Sequence, residues 1–365
     1  MNVFKNVKKL DYLLLTSMIL LMIAGWFIMY SASYQEHMST GVDYAKKQFV
    51  WMMIALVIFF VIVCIDYHFL LNISFIIYGV ILVLLFLVLV LGDKRFGARR
   101  WIGIGGFTLQ PSELAKFGVI LAVVKYLVWD IENRFKLKYI IICGIIVGIP
   151  SILIFKQPDL GTMLTFVPTI CAMLFAAGMR WRYIIIAWAL SIASAPFLWA
   201  HLRPYQKKRV FTFLYPEHDP FGSGYSVIQS KIAVGSGGIL GKGWLGGTQN
   251  QLNFIPERHT DFIFSVVGEE WGFVGSLALV TLFFMVISAG FNIAHKAPDV
   301  SGKILALGIT TIFGFQVSVN IGMTIGLLPV TGIPLPFISY GGTSLLATMA
   351  MMGLLQNIYM RRFMF

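Results

Sequence analysis

The sequence predicts an all-α, polytopic integral membrane protein, and two observations lead to this prediction. Hydrophobic residues make up 58% of the 365 residues and charged residues only 12%, a composition that the core of a soluble domain does not accommodate. Apolar runs of about 20 residues, long enough to cross roughly 30 Å of hydrocarbon, also recur along the whole length. We therefore expect a single transmembrane domain over residues 1–365 with about ten membrane-spanning helices.

Ten apolar runs define the predicted helices. They cover residues 11–31, 46–65, 69–92, 111–129, 138–155, 161–178, 181–200, 262–294, 303–328 and 337–360. The first run follows a basic segment and resembles a secretory signal, but it is too long for the apolar core of one, so we predict an uncleaved first helix. Cys64, Cys143 and Cys171 fall inside predicted helices, which favours buried apolar roles and indicates nothing about the redox compartment.

Positive charge predicts the orientation of the helices. Lys5, Lys8 and Lys9 precede the first helix, and the positive-inside rule therefore places the N-terminus in the cytoplasm. Ten crossings return the C-terminus, with Arg361 and Arg362, to the same side. Both termini are thus predicted to be cytoplasmic, and residues 201–261 form one long extracytoplasmic loop.

The predicted outer face carries an excess of Lys and Arg in two places. One is "GDKRFGARRW" (92–101), and the other is the start of the long loop, "RPYQKKR" (203–209), with Arg203 at its head. Long loops cross the membrane regardless of charge, so this excess does not change the predicted topology. Two explanations stay open: attraction to anionic lipid head groups, or an anionic substrate such as a diphosphate bound by arginine.

The loop over residues 201–261 is far longer than an ordinary connection between helices, so we expect it to be functional. Within it, "YSVIQSKIAV" predicts a short amphipathic helix lying in the interface, with Val227, Ile228 and Ile232 toward lipid. The segment "GKGWLG" matches the spacing of dinucleotide-binding glycines, but no strand precedes it. Its glycines are expected instead to permit tight turns or the close approach of a ligand.

The stretch "FIPERHTDFIFSVVGEEWGF" (254–273) concentrates ionisable groups where an apolar run begins. Thr260 or Asp261 is suited to cap the helix that follows, and on this stretch alone Asp261 is explained equally well as a cap or as a catalyst. Glu269 and Glu270 would lie roughly 12 to 14 Å deeper along a continuous helix, with Glu270 opposite to Asp261 and Glu269 roughly a quarter turn from it. We expect them to pair with neighbouring helices or to line a wet cavity.

Other polar residues share the predicted outer depth of Asp261, and together they predict a shared polar cavity. Glu113 and Lys116 stand one turn apart, Asp159 lies in a short turn, and Gln316 and Asn320 begin a polar stripe at helical spacing. Each feature alone is more typical of contacts between helices. The segment 326–346, rich in Pro and Gly and containing Ser339, is expected to line the same cavity because irregular backbone at this depth needs protein or water around it.

Four stretches closely resemble the SEDS family of bacterial cell-wall proteins. They are "GARRWIGIGGFTLQPSELAK" (97–116), "QPDLGT" (157–162), "GGTQNQLNFIPERHTDFIFSVVGEEWGF" (246–273) and "TGIPLPFISYGGTS" (331–344). The resemblance covers nearly the whole chain, and "GGTQNQLNF" is more similar to the elongation member than to the division member. It implies a peptidoglycan glycosyltransferase of the bacterial cytoplasmic membrane that polymerises lipid II on the outer leaflet and releases undecaprenyl diphosphate.

The resemblance also implies a partner and a catalytic residue. The partner is a class B penicillin-binding protein, with lipid II and the undecaprenyl-linked glycan as ligands; nucleic acid is not expected. Asp261 matches the family's essential aspartate and is expected to act as general base on the acceptor's sugar hydroxyl. A diphosphate leaves without being protonated, so one base and several cations are sufficient for this chemistry.

Further site residues follow from the matched motifs and from the outer charge clusters. Arg99 or Arg100 matches the family's arginine and is expected on the diphosphate, for which Lys116, Arg203 and Arg258 are further candidates. In the family the glutamate that matches Glu113 pairs with the lysine that matches Lys116. The remaining supporting residues of the predicted cavity are Asp159, Glu257, His259, Glu269, Glu270, Gln316, Asn320 and Ser339.

Metal dependence and the alternative functions remain open at this stage. No ligand spacing in the sequence demands a metal, but Mg²⁺ or Mn²⁺ bridging Asp261 and the diphosphate is compatible with it. A flippase for a lipid-linked precursor would stage charges across the membrane, often in repeated halves, whereas the unusual charges here crowd the outer side. A scaffold that only recruits other proteins leaves Asp261 and the outer basic clusters unexplained.

Overall fold

The computed structural model describes residues 10–95, 98–104, 107–129, 137–180, 204–215 and 224–362, together with isolated positions between 182 and 200. Thirteen helices and one small sheet lie within these ranges. The predicted helical membrane fold is confirmed, and the sheet is an addition that the sequence did not predict. The predicted helix over residues 181–200 lies almost entirely outside the described residues.

The first four helices lie before the sheet. They are α1 (Tyr12–Thr40), α2 (Tyr44–Cys64), α3 (Tyr67–Asn72) and α4 (Ser74–Leu91). Aspartates set where the two longest begin, because Asp11 and Asp43 each accept the backbone N–H three residues ahead, as an N-cap does. On α4 the large apolar side chains of Val83, Phe86 and Leu91 stay exposed, as expected for a surface that meets lipid.

A three-stranded antiparallel sheet connects α4 to the next helix. Its strands are β1 (Asp93–Arg95), β2 (Ala98–Ile104) and β3 (Phe107–Leu109), in the order β1-β2-β3. Successive residues of a strand point to opposite faces. Arg99 and Arg100, which are neighbours on β2, are therefore directed to different surroundings.

The remaining nine helices follow the sheet. They are α5 (Pro111–Trp129), α6 (Leu137–Lys156), α7 (Leu160–Ala176), α8 (Pro204–Leu214), α9 (Tyr225–Ser236), α10 (Thr248–Gln251), α11 (Ile263–His295), α12 (Val300–Thr324) and α13 (Gly342–Arg361). Six helices of the described part are long and apolar enough to cross a membrane: α1, α2, α4, α6, α11 and α12. The total of ten crossings stays a prediction.

The helices pack around one large apolar core. The most extensive contacts join α13 to α2, α11 to α12 and α1, and α12 to α7. The central helix α12 is the most buried of the six candidate spans. This arrangement brings the outer ends of α5, α7, α11 and α12 into one neighbourhood, where the candidate site lies.

Helix α11 is interrupted, which corrects the prediction of one continuous helix over residues 262–294. Gly272 has φ 65° and ψ −158° inside it, a conformation that favours glycine. The break lets a turn of the long loop dock, since the carbonyls of Glu269 and Glu270 accept the backbone N–H groups of Lys242 and Gly243, both at 3.0 Å. The two glutamates thus stand at the end of a short helical segment beside the loop.

Helix α9 differs in part from its prediction as a lipid-facing amphipathic helix. Ile232 is 45% exposed as predicted, but Val227, also expected to face lipid, is only 5% exposed. The helix packs on α11 and α12, where Ser230 Oγ donates to the carbonyl of Thr324 at 2.7 Å. Hydrophobic spacing alone did not distinguish a face that meets lipid from a face that meets protein.

Candidate functional site

Asp261 lies in a tight turn that leads into α11. Glu257 has φ 53°, and its carbonyl accepts the backbone N–H groups of Thr260, Asp261 and Phe262 at 3.1, 3.1 and 3.4 Å. Phe262 occupies the N-cap position, and no side chain caps the helix. The prediction that Thr260 or Asp261 caps α11 is therefore wrong. Helix capping consequently does not explain why an aspartate occupies position 261.

The backbone of this turn is held from behind by α12 and by the segment 329–341. Asn320 Nδ2 donates to the carbonyls of Asp261 and Ile333 at 2.9 and 2.8 Å. Ser339 Oγ donates to the carbonyl of Thr260 at 2.6 Å. The structure thus brings Asn320 to the backbone of Asp261 and Ser339 to that of the preceding residue, and both were predicted to support the cavity. Gln316, one turn along α12, is buried and neither atom of its amide finds a hydrogen-bond partner in the described residues.

The carboxylate of Asp261 is half-buried, and within the described ranges no donor hydrogen-bonds to it. It lies beside Gly332, where an added Cβ would be 3.4 Å from Asp261 Oδ2. Gly332 has φ +78°, so a larger residue is disfavoured both by its backbone and by the space it would take. The lone pairs of the carboxylate are consequently available to a ligand.

Burial and neighbouring charges together shift the pKa of Asp261. Burial, assisted by the negative charge of Glu257, raises the pKa of Asp261 from 3.8 to about 6, while Arg209 and Arg100 oppose the rise. Asp159 adds a smaller negative contribution. A carboxylate with such a pKa is ionised at neutral pH and is a better base than an ordinary aspartate.

The two neighbouring arginines of β2 differ in position. Arg100 Nε donates to the carbonyl of Gln157 at 3.0 Å, and its Nη2 donates to that of Pro158. Arg99 Nη1 instead donates to the carbonyls of Leu89 and Val90, at 3.2 and 2.9 Å, at the end of α4. The structure therefore directs Arg100 toward Asp261 and Arg99 away from it, which the sequence had left open.

Asp159 anchors the turn that carries Arg100's acceptors. Its carboxylate caps α7 by accepting from Thr162 N at 3.3 Å and also accepts from Ser112 Oγ at 3.0 Å. These contacts join the starts of α5 and α7. The predicted polar role of Asp159 is thus that of a buried connector close to Asp261.

Glu113 and Lys116 form the ion pair that the resemblance implied. Lys116 Nζ lies 2.7 Å from Glu113 Oε2, with side chains 2% and 3% exposed. The charge of Lys116 is thus already compensated inside the bundle. This geometry does not present Lys116 to a diphosphate, and the prediction that it binds one is replaced by a structural role beside the site.

Arg258 and His259 fasten the Asp261 turn to α1 and α2. Arg258 is buried and its Nε donates to the carbonyl of Ala32 at 2.8 Å, which fastens the turn to α1; its predicted contact with the diphosphate stays a prediction. The ring of His259 stacks on Tyr44 with centroids 4.8 Å apart, and its Nδ1 is 3.7 Å from Glu36 Oε2. Burial lowers the pKa of both residues, while Glu36 opposes this.

Glu269 and Glu270 belong to a second polar centre. Glu269 accepts from Lys242 Nζ at 2.8 Å, from Thr248 Oγ1 at 3.1 Å and from the backbone N–H groups of Gln249 and Asn250 at 2.9 and 3.2 Å. Glu270 accepts from Ser31 Oγ of α1 at 2.6 Å. The expected pairing with a neighbouring helix is correct for Glu270, whereas Glu269 binds the long loop instead.

Sequence reasoning missed Arg209 as an individual site residue. It lies on α8, its Nη1 donates to the carbonyl of Thr331 at 3.3 Å, and its charge acts on Asp261. The only signal was its membership of "RPYQKKR", where nothing distinguishes it from the other cations. Arg203, the candidate named from that cluster, lies outside the described residues.

No group of three or more His, Cys, Asp or Glu side chains suited to a metal ion occurs in the part of the chain that the structure describes. Asp261 has Glu257 and Asp159 as acidic neighbours, but Asp159 is already committed to the caps and bonds described above. Any cation at Asp261 would therefore need further oxygen ligands from a substrate.

Comparisons with known proteins relate nearly the whole chain to one family. The family model described as "Cell cycle protein", which covers FtsW, RodA and SpoVE, matches residues 11–363. The peptidoglycan glycosyltransferase MrdB of Escherichia coli (strain K12) is 45% identical over 78% of this chain and 77% of its own length. The peptidoglycan glycosyltransferase RodA of Treponema pallidum (strain Nichols) is 32% identical over 98% of this chain and 99% of its own.

Two solved structures have the same fold. A chain from a peptidoglycan synthase complex, studied for its coordination of polymerization and crosslinking, matches with a TM-score of 0.83 and 34% identity over 97% of this chain and 98% of that chain. The crystal structure of the rod shape determining protein RodA of Thermus thermophilus matches with a TM-score of 0.70 and 30% identity over the same shares.

Proposed function

This chain belongs to the FtsW, RodA and SpoVE family, and we propose that Asp261 is the general base of its reaction. The chain is a multi-pass inner-membrane peptidoglycan glycosyltransferase of the RodA type. The proposal concerns how the described site performs this transfer and on which substrate. The observation that carries it is that the carboxylate of Asp261 accepts from no described donor and does not cap α11. Its pKa, raised to about 6, supports the same role.

The substrate that suits this site is a lipid-linked disaccharide diphosphate, namely lipid II, on the outer leaflet. Asp261 takes the proton from a sugar hydroxyl of the acceptor as the hydroxyl oxygen forms a bond to the anomeric carbon of the donor. The bond between that carbon and the diphosphate breaks, and its electron pair leaves with undecaprenyl diphosphate. The charges balance because the proton stays on Asp261 and the new negative charge stays on the leaving group.

Arg100 and Arg209 are the cations that we assign to the leaving diphosphate. Both act electrostatically on Asp261 from different elements, the sheet and α8. Arginine binds phosphate oxygens in a bidentate way, and such fixed positive charge stabilises the transition state as negative charge develops. Their hydrogen bonds to the carbonyls of Gln157 and Thr331 hold the guanidinium groups in place before the substrate arrives.

Glu257, Asn320 and Ser339 position Asp261 and are not themselves reacting groups in this proposal. Asn320 and Ser339 hold the backbone of the turn, and the charge of Glu257 keeps the pKa of Asp261 high. Loss of either backbone contact is expected to move the carboxylate by a fraction of an ångström, enough to lower the rate.

A divalent cation enters the proposal only as an ion carried by the diphosphate. The described residues lack a group of three or more side chains that would hold Mg²⁺ or Mn²⁺ alone, and Mg²⁺ in proteins commonly binds through one or two carboxylates together with substrate phosphates. Polymerisation in EDTA, followed by titration with either ion, measures this dependence.

The proposed protein partner is a class B penicillin-binding protein. Support comes from the similarity to a chain of a peptidoglycan synthase complex whose study concerns coordinated polymerization and crosslinking. Such a transpeptidase would receive the glycan strand on the same side of the membrane as Asp261.

In the decisive experiment, lipid II is added to the purified protein together with its transpeptidase partner, and the glycan polymer formed is measured on gels. Asp261→Asn is expected to lose at least about a hundredfold in rate, the lower range for loss of a general base, while Glu257→Gln, a matched control one turn away, retains most of its activity. Full polymerisation by Asp261→Asn would overturn the assignment. Passage of lipid II across sealed vesicles without polymer, equal in both proteins, would support a flippase instead.

A further inference from the structure

The end of the bundle opposite Asp261 contains a cavity that glycosyl transfer does not use. It has a volume of about 440 Å³ and lies between α3, the end of α5 and the start of α12. The start of α12 is separated from Asp261 by the 33 residues of α11, so this cavity is on the predicted cytoplasmic side. Its polar lining consists of His68, Asn72, Lys125 and Ser301.

Lys125 supplies a positive charge to this cavity that no described carboxylate compensates. Its Nζ donates to the neutral amide oxygen of Asn72 at 2.9 Å, and no carboxylate of the described residues lies within ion-pair distance of it. A lysine that pairs only with an amide keeps its full charge available to an incoming anion.

Among the residues that the structure describes, the acidic ones closest to the cavity are already paired with other groups. Asp66 binds Arg361 at 2.8 Å and His68 at 3.1 Å. Asp299 binds His68 at 3.0 Å and accepts from the hydroxyl of Tyr67 at 2.8 Å. Their negative charge is therefore compensated locally, and the cavity itself retains the positive charge of Lys125.

The other wall of the cavity is apolar and aromatic. Leu71 and Val128 line it, and Trp129, at the end of α5, is 73% exposed at its mouth. Tryptophan is typical of the membrane interface, where its ring lies at the level of the head groups. A single cation next to an apolar wall at this depth matches a charged phosphate that continues into an acyl chain.

We propose that this cavity binds the phosphate of an anionic phospholipid of the cytoplasmic leaflet. Lys125 contacts the phosphate oxygens, and Leu71, Val128 and Trp129 contact the glycerol and the first methylene groups. Basic pockets between transmembrane helices on the cytoplasmic side recognise lipid head groups in this way. The apolar wall favours the lipid over free inorganic phosphate, because inorganic phosphate has no apolar group that could contact this wall.

The test uses the full chain purified into lipid nanodiscs that contain phosphatidylcholine with a minor share of phosphatidylglycerol. Native mass spectrometry measures how much phosphatidylglycerol stays bound. Lys125→Gln should lower this amount about fivefold, the equivalent of the ~1 kcal/mol that a lysine contributes near an anionic surface. Lys303→Gln, which removes an exposed lysine on the first turn of α12, should change it little, and Lys125→Arg should retain binding.

A second variant keeps the lysine and removes its free charge. Asn72→Asp is nearly isosteric at an exposed position and places a carboxylate against Lys125, so we expect a similar loss of phosphatidylglycerol without loss of folding. Equal retention in Lys125→Gln and Lys303→Gln, or unchanged retention in Asn72→Asp, would overturn the proposal. Binding of inorganic phosphate that displaces phosphatidylglycerol from the wild-type protein would overturn the lipid as its source.

Discussion

Asp261 and Glu269 are acidic residues of one short stretch, yet their surroundings are opposite. The carboxylate of Asp261 is half-buried and accepts from no described donor, whereas Glu269 is fully buried and accepts four hydrogen bonds. A buried carboxylate whose lone pairs are all used is an anchor. One whose lone pairs are free and whose pKa is raised is a candidate for chemistry. The number of donors, and not the residue type, separates the two roles.

The largest expected effect on stability comes from removing the anchor. Glu269→Ala leaves Thr248 and the backbone N–H groups of Gln249 and Asn250 without an acceptor, so the free energy of unfolding should fall by about 3–5 kcal/mol. Denaturant or thermal unfolding in detergent measures this, and limited proteolysis should show faster cleavage in residues 237–251. Thr248→Val, the control, removes one of the four donors and leaves Glu269 paired with Lys242, so it should cost about 1 kcal/mol; equal losses would contradict the comparison.

Removing the charge of Asp261 should raise the free energy of unfolding, the opposite of the effect expected for Glu269→Ala. The pKa is raised from 3.8 to about 6 in the folded protein, so folding is favoured below the unfolded value and that advantage is lost as the pH rises through about 6. At pH 8, Asp261→Asn should therefore be more stable than the wild type by up to ~3 kcal/mol. Thermal unfolding from pH 4 to pH 8 measures this gain, which should vanish at the acid end. A variant that is less stable at pH 8 would show that the carboxylate is an anchor after all.

The pair of arginines on β2 offers a sharper test of the site's boundary. Arg100→Lys should lower kcat/KM for polymerisation about 10- to 100-fold, because lysine cannot reproduce bidentate binding of phosphate. Arg99→Lys is the matched control, since Arg99 contacts only the end of α4 in the described structure, and it should change the rate by less than about twofold. Comparable losses in both variants would show that the direction of an arginine on β2, toward Asp261 or away from it, does not determine whether it contributes to polymerisation.

The smallest effect is a change of rate with pH. Because Asp261 must be ionised to accept a proton, polymerisation should fall about tenfold between pH 7 and pH 5, with the acid limb near the pKa of about 6. Initial rates across this range measure it. Glu257→Gln removes a charge that raises this pKa, so the acid limb should move to lower pH. An acid limb that stays in place would show that Glu257 does not raise the pKa of Asp261.

Features that depend on spacing along one helix were predictable from the sequence. The pair Glu113 and Lys116, three residues apart, and Asn320, at helical spacing on α12, form contacts consistent with their patterns. Such contacts arise from the 3.6-residue period of the helix and need no knowledge of the rest of the fold. Asp159 and Ser339 were also placed in the right neighbourhood, because short turns between helices restrict where their residues can lie.

The features that were missed depend on contacts between distant segments. The choice between Arg99 and Arg100 depends on a sheet whose outer strands have three residues each, too few for a recognisable alternation. Arg209 reaches Asp261 only because α8 packs near Thr331. A continuous apolar run also concealed the break at Gly272, because a glycine within a helical pattern is ordinarily tolerated and carries no sign of its φ.

The contact between Gly241 and Gly272 has a consequence for how the protein is made. An added Cβ on either glycine would collide with the backbone of the other segment, so these two stretches meet as bare main chain. Residues 237–250 precede Glu269 and Glu270 in the chain and bind their carbonyls, so the docked loop needs the first half of α11 already in place. We expect the loop to dock only after the first half of α11 has followed, which makes completion of the catalytic face a late event in biogenesis.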